Sequence, residues 1–299
     1  MLQKYDQRNN DIHVNINGKL VPRAEAAISP FDSSVQNGDG VWEGLRLYNG
    51  RIFRLEQHLD RLAASARSLA YEGFPSREKI IREIRSTLQA NEMHDGVHIR
   101  VTVTRGVKYT SGLDPRLNNA GTTLIILAEH KPPVYDRTGL YFKTSSIRRI
   151  PPQCLDQKIH SCNQLNSILA KIEANRAEAD DALMLDVRGY LAETNATNVF
   201  IVSDDTVLTS LTDSCPEGVT RTAVLELCAK HNIAAQVRDI SVAEIHAAQE
   251  VFCTGTMGEI IGVACIDDTE YLNGRIGPMT QRIAALYSEL TASEGFEIC

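Results

Sequence analysis

The 299-residue chain has no uninterrupted apolar run long enough to cross a membrane, a span of roughly 18 residues or more. Its seven cysteines are scattered, odd in number and contain no Cys-x-x-Cys pair. That excludes a disulfide framework and a cysteine zinc site, and it fits a reducing compartment such as the cytoplasm. A basic surplus is also missing: 31 Lys and Arg stand against 38 Asp and Glu, a net charge of −7. A nucleic-acid binder is therefore not expected, and any anionic ligand must be held by local groups rather than by a global field. The first residues, MLQKYDQRNNDIHVN, contain no apolar stretch of the kind a secretory leader carries. Low-complexity segments, internal repeats and metal-ligand clusters are absent.

What remains is an ordinary globular composition, 43% hydrophobic and 23% charged, with length enough for two domains. Consecutive prolines in Lys131-Pro132-Pro133 stiffen a connection and exclude helix. They suggest an N-terminal domain over 1–130, a linker at 131–136 and a larger domain over 137–299. In the first, residues 1–10 read as a loose polar arm, and His13–Leu20 alternates around Asn17-Gly18 as a hairpin. Val35–Gly40 reads as a loop. Val41–Tyr48, Asn49-Gly50 and Arg51–Phe53 form a second hairpin. Helices start near Leu55 and Ser76, and strands follow at Val97–Arg105 and Thr122–Ala128. The second half begins with the strand Tyr141–Arg149. Later strands are Ala182–Val187, Val199–Ser203, Thr206–Leu208, Ala235–Ile240, Glu250–Thr254 and Ile260–Ile266, and Gly277-Pro278 opens a final helix.

The stretch from Lys158 to Asn198 is chemically the most informative. Lys158 precedes a helix expected over about 163–179, whose Leu165, Ile168, Leu169 and Ile172 recur at spacings of three and four and so predict one buried face. A strand, the Arg188-Gly189 turn and a return strand then lead to Glu193. A lysine amine can form a Schiff base with an aldehyde cofactor, and a carboxylate can keep the ring nitrogen of such a cofactor protonated. Gly218-Val219-Thr220-Arg221 sits where a glycine loop meets a helix start. It reads either as an anion site or as a plain N-cap with Thr220 as cap.

The run from Lys158 through Glu193-Thr-Asn-Ala-Thr-Asn198-Val-Phe resembles the core of the class IV aminotransferases, the fold-type IV pyridoxal-phosphate enzymes. The likeness continues in Phe53-Arg-Leu-x-x-His-x-x-Arg-Leu62 and in Gly255-Thr-Met-Gly-Glu259. It implies an α+β fold with a smaller N-terminal α/β domain and a larger pseudo-barrel domain. It implies pyridoxal 5′-phosphate as cofactor, and an amino acid and a 2-oxo acid as substrates. It also implies a homodimer, with an active site between the domains closed partly by a loop of the neighbour. By the same resemblance Lys158 holds the cofactor and shuttles protons, and Glu193 partners the pyridine nitrogen, with Asn198 bracing its loop. Arg54, Thr256 and the amides of Val219 and Thr220 take the phosphate, and Met257 offers its amide to the substrate carboxylate. His58 and Arg61 support their helix rather than touch substrate.

The substrate side chain falls to Asn37, Trp42, His98 and Arg100. Branched-chain enzymes usually show tyrosine and phenylalanine at the positions of Asn37 and Trp42, tyrosine at His98, tyrosine near Gln164, and a small residue at Met257. Trp42 keeps one apolar wall, Asn37 and His98 make the pocket more polar than usual, Met257 reshapes it, and Gln164 can still donate to the cofactor's phenolic oxygen. The best substrate match is a branched-chain L-amino acid (leucine, isoleucine or valine) with 2-oxoglutarate. Gly-Asp-Gly-Val at 38–41 and Thr104-Arg-Gly106 lean toward the D-amino acid enzymes, which stand as the alternative together with aminodeoxychorismate-lyase-type β-elimination.

Overall fold

The computed structural model describes residues 5–132 and 139–299. The chain divides into two compact units. The N-terminal unit comprises 5–132 and also takes in 159–163 and 291–299; the C-terminal unit comprises 139–158 and 164–290. The change of unit after Pro132 coincides with the proline pair, while most of the expected linker lies outside the described residues. Two returns were not legible in the sequence. Residues 159–163 rejoin the N-terminal unit because they bond along a strand edge there, with an isolated bridge from Ser161 to Val41. The C-terminal residues do so through a short strand of their own.

In the N-terminal unit, β1 (His13–Ile16) and β2 (Lys19–Pro22) form the first hairpin, and α1 (Ser33–Asn37) precedes β3 (Gly40–Tyr48) and β4 (Arg51–Ile52). The expected loop at 35–40 is therefore partly helical: Asp32 caps the Ser34 amide, and Gly38 closes the turn at φ +67. Then come α2 (Leu55–Ser68), α3 (Arg77–Ala90), β5 (Val97–Thr104) and β6 (Thr123–His130). The polar arm is not loose throughout, since buried Asn9 brackets both backbone groups of His130 through its carboxamide. With the C-terminal strand, the sheet has the order 296–297, β4, β3, β5, β6, β1, β2. Alternation sends Val41, Leu45, Leu47, Ile99, Val101 and Val103 toward Leu55, Leu59 and Leu62 of α2 and Ile80, Ile84 and Leu88 of α3. The opposite face carries Trp42, Arg46, His98 and Arg100, since Gly44 lies across from Arg100 and Arg46 across from His98.

The C-terminal unit contains β7 (Leu140–Thr144), α4 (Leu165–Arg176), β8 (Asp181–Leu185), β9 (Leu191–Thr194), β10 (Asn198–Ser203) and β11 (Thr206–Thr209). It continues with α5 (Val219–Lys230), β12 (Ala235–Val237), α6 (Val242–Ala247), β13 (Glu250–Gly255), β14 (Glu259–Ile266) and β15 (Thr269–Glu270). The final helix, α7 (Pro278–Ser293), leads to β16 (Phe296–Glu297), the edge strand of the first sheet. The second sheet runs β12-β11-β10-β13-β14-β7-β8-β9 and curls into a half-barrel over Leu183, Val199, Ile201, Val251 and Val263. The mixed α/β architecture agrees with the expected fold class.

One expectation fails at α4. The residues at the predicted buried positions are exposed: Leu165 at 68%, Ile168 at 50%, Leu169 at 51% and Ile172 at 40%. A second stripe at helical spacing, Ser167, Ala170 and Ala174, faces inward instead. Small side chains let the helix approach Ala182 and Met184 of β8 closely, which turns the large residues outward. In the N-terminal core, truncation of the fully buried Ile99 to Ala is expected to cost about 2–5 kcal/mol. Urea denaturation followed by circular dichroism measures this.

Candidate active site

Arg149, unremarked in the sequence, is the hub of the C-terminal unit. It is 4% exposed, and its Nη2 lies 2.5 Å from Glu193 Oε1 in an ion pair. The same guanidinium donates to Gln157 Oε1 at 3.1 Å, Ser167 Oγ at 2.9 Å and the Ser214 carbonyl at 3.3 Å. One side chain thus joins the residue before Lys158, the start of α4, the loop before α5, and Glu193 on β9. Planar geometry with five donors makes arginine the residue able to hold so many oxygens at once. Lys158 itself is exposed, and its Nζ makes no hydrogen bond or ion pair among the described residues. Its backbone amide is fixed by Asp156 Oδ1 at 2.9 Å. Lys158 and Glu193 are therefore tied to one support, an amine left open and a buried carboxylate held in place.

The expected anion site falls at the start of α5. Gly218 is the N-cap, and no side chain caps the first turn, so Thr220 does not play that part. The unclaimed amides and the positive helix end suit a phosphate. Asn198 forms the wall: its Nδ2 donates to the Pro216 carbonyl at 3.2 Å, and its Oδ1 would lie 2.0 Å from any Cβ at position 218. Only glycine fits there. Asn198 thus holds the Pro216–Gly218 turn in shape. Arg221 is buried and donates to the Ser210 carbonyl at 2.9 Å, while Ser210 Oγ donates to the Ala192 carbonyl at 2.6 Å, linking α5 to β9 beside Glu193. Thr256 and Met257 are half-buried in the turn between β13 and β14. The Oγ1 of Thr254 just before them is buried without a hydrogen-bond partner among the described residues. Gln164 is the half-buried N-cap of α4. An open amine, a buried carboxylate and an uncapped helix start together fit a cofactor with an aldehyde, a ring nitrogen and a phosphate, as pyridoxal 5′-phosphate has.

The N-terminal unit holds the other group of candidates. Trp42 donates from Nε1 to the Ser161 carbonyl at 3.1 Å and stacks on His160 at 4.3 Å. Arg100 lies over the indole, 3.8 Å from its centroid. Burial lowers the Arg100 pKa, and the Cys162 thiol beside it opposes the shift. His98 is pushed down to about 3 by burial and by Lys131, Arg100 and Arg46, so its imidazole is neutral at physiological pH. Beneath Trp42, fully buried Glu43 is clamped by Arg61 at 2.7 Å on both oxygens and by His58 Nδ1 at 2.7 Å. Burial opposes ionisation of Glu43, but Arg61 and His160 hold its carboxyl well below the usual range. His58, lowered by burial despite Glu43, is the neutral donor to that carboxylate. His58 and Arg61 accordingly support the sheet and α2, as expected. Asn37 is exposed at the end of α1. Arg54 is the N-cap of α2 at φ +52, with Nη2 3.4 Å from Glu294.

Sequence reading missed Arg149, Glu43, His160 and Lys108 as organising residues. Each gains its role from partners far away in the chain, and no local pattern signals that.

A family model described as amino-transferase class IV matches residues 40–266. "Branched-chain-amino-acid aminotransferase-like protein 2" of Arabidopsis thaliana is 51% identical over 284 residues, 95% of this chain but 51% of that protein. The chain therefore spans about half the length of that relative. The "Putative branched-chain-amino-acid aminotransferase" of Methanocaldococcus jannaschii is 35% identical over 95% of this chain and 98% of its own. Among solved structures, the branched-chain amino acid aminotransferase of Thermobaculum terrenum in its PLP-form superposes with a TM-score of 0.84 at 27% identity, covering 95% of both chains.

Replacing Arg149 with Met would leave Glu193 buried without its cation. A loss of about 3–5 kcal/mol of stability is expected, read as a lower denaturation midpoint, with a smaller loss in Arg149→Lys.

Proposed function

The chain belongs to the class IV amino-transferases, and from that premise we propose that it moves an amino group between an L-amino acid, a branched-chain one in the first instance, and 2-oxoglutarate. The observation that carries the reading is the Arg149 hub, which holds the Lys158 segment and Glu193 on one buried support. When bound, pyridoxal 5′-phosphate supplies an electron sink that acidifies the substrate's Cα–H.

The residues then divide the work. Lys158 would hold the cofactor through its amine, and the same amine, when free, would carry the proton to and from the substrate's Cα. Glu193, oriented by Arg149, would pair with the ring nitrogen of the bound cofactor and favour its protonated form. The amides of Val219 and Thr220, with Thr256 and Arg54, hold the phosphate. Gln164 donates to the phenolic oxygen, and Asn198 keeps the Pro216–Gly218 turn in shape. The Met257 amide takes the substrate α-carboxylate, leaving Trp42, Asn37, His98 and Arg100 to meet the side chain. Two substrates bind in turn, each leaving before the other enters.

We further propose a homodimer in the cytoplasm. The apolar stripe Leu165, Ile168, Leu169 and Ile172 supports the first part, since a large contiguous exposed apolar face marks an interface. Seven unpaired cysteines support the second.

Lys158→Ala is expected to abolish turnover and the yellow colour of the cofactor-loaded protein; near-normal activity would overturn the assignment. Leucine without an acceptor should bleach the wild-type colour, whereas bleaching by D-alanine alone would favour the D-amino acid reading. Ile168→Glu together with Leu169→Lys should shift the protein toward monomer in size-exclusion chromatography with light scattering.

A further inference from the structure

We propose that Lys108 is a specificity-positioning residue: it holds the Asn37 carboxamide so that only N–H donors remain free, which fits the substrate pocket to the distal carboxylate of a dicarboxylic substrate. The proposal rests on the transamination reading and adds a residue to it.

Lys108 is 4% exposed, an unusual place for an ammonium. Its Nζ donates to Asn37 Oδ1 and, at 2.5 Å, to the Gly112 carbonyl. It forms no ion pair among the described residues. The nearby carboxylates are already engaged: Asp39 by Arg105 at 2.6 Å and Tyr71 at 2.9 Å, and Asp32 by Thr104 at 2.9 Å and Thr123 at 3.0 Å. Burying a cation against neutral oxygens alone is costly, so the arrangement needs a reason beyond packing. Its loop is fixed as well, since the Lys108 amide donates to the Phe31 carbonyl at 2.9 Å and Tyr109 to Leu117 at 3.2 Å.

The consequence falls on Asn37. A carboxamide has one acceptor end and one donor end. With the oxygen turned to Lys108, the exposed residue keeps its NH2 for a ligand. Next to Asn37, Gly38 packs toward Asn163, and a Cβ at Gly40 would lie 3.0 Å from Cys162 Sγ. That thiol borders Arg100, which rests on Trp42 and has no carboxylate partner among the described residues. Lys108 and the Asn37 amide thus present an ammonium and an N–H donor together, while Asp32 and Asp39 beside them are already engaged. A carboxylate is the side chain that such a set complements. The tyrosine that branched-chain enzymes usually show at the Asn37 position would offer a ring instead.

The test uses the full, cofactor-loaded enzyme and measures KM separately for leucine and for 2-oxoglutarate. Lys108→Met and, independently, Asn37→Leu should raise the KM for 2-oxoglutarate roughly tenfold or more, the scale of a hydrogen bond to a charged group. The KM for leucine should change far less than that for 2-oxoglutarate, so that the ratio of the two moves, and Lys108→Arg should recover most of the loss. Asn37 is exposed, so its variant keeps the test decisive if the buried Lys108→Met fails to fold. Equal changes in both KM values would mean a merely structural role and overturn the proposal, as would no change in either. Absence of transfer by the wild type would remove the transamination reading and this one with it, whereas a transferring enzyme with an unmoved KM ratio overturns this one alone.

Discussion

The buried ion pair between Arg149 and Glu193, 2.5 Å apart, is the constraint on which the C-terminal unit's chemistry depends. A carboxylate as buried as Glu193 is unfavourable without a cation, and a guanidinium as buried as Arg149 is unfavourable without acceptors. Each therefore requires the other. Satisfying the arginine's remaining donors recruits Gln157, Ser167 and Ser214. The segment carrying Lys158, the first turn of α4 and the approach to α5 are held by one group. Such a hub contributes little net stability compared with an apolar replacement. What it adds is position, which proton transfer demands most.

The N-terminal unit repeats the logic with a different cast. Glu43 is fully buried, and Arg61, His58 and His160 gather around it. That cluster sets the floor beneath Trp42, while hydrogen bonds from residues 159–163 lie along β3. Polar groups on both faces of one strand thus serve different ends. Glu43 faces α2 as structure, and Trp42 faces the other way with Arg100 upon it.

The elements were largely legible. Periods of two and of three to four residues located β3, β5, β6, α2 and α3, because burial on one face leaves that trace in any sequence. The Asn49-Gly50 turn and the Pro278 helix start were readable for the same local reasons. Where two stripes competed, the pattern misled. In α4, the alanine stripe rather than the leucine-isoleucine stripe packs on β8, since close approach favours small side chains. Periodicity reports that a face exists, but not which partner takes it.

The sequence by itself determined the class of chemistry: Lys158, Glu193, Gly218 and the loop at Thr256 are local signals, each carried by residue type and a few neighbours. It also located most of the longer strands and helices, because hydrogen bonding and side-chain period act over short separations. Only the tertiary structure decided that Arg149 supports Glu193, that Asn198 shapes the Pro216–Gly218 turn, that residues 159–163 rejoin the first sheet, and that Lys108 donates to Asn37. The physical reason is the same in each case. A buried polar group must find its partner wherever the fold brings one, and that partner's distance along the chain leaves no mark on the residues in between.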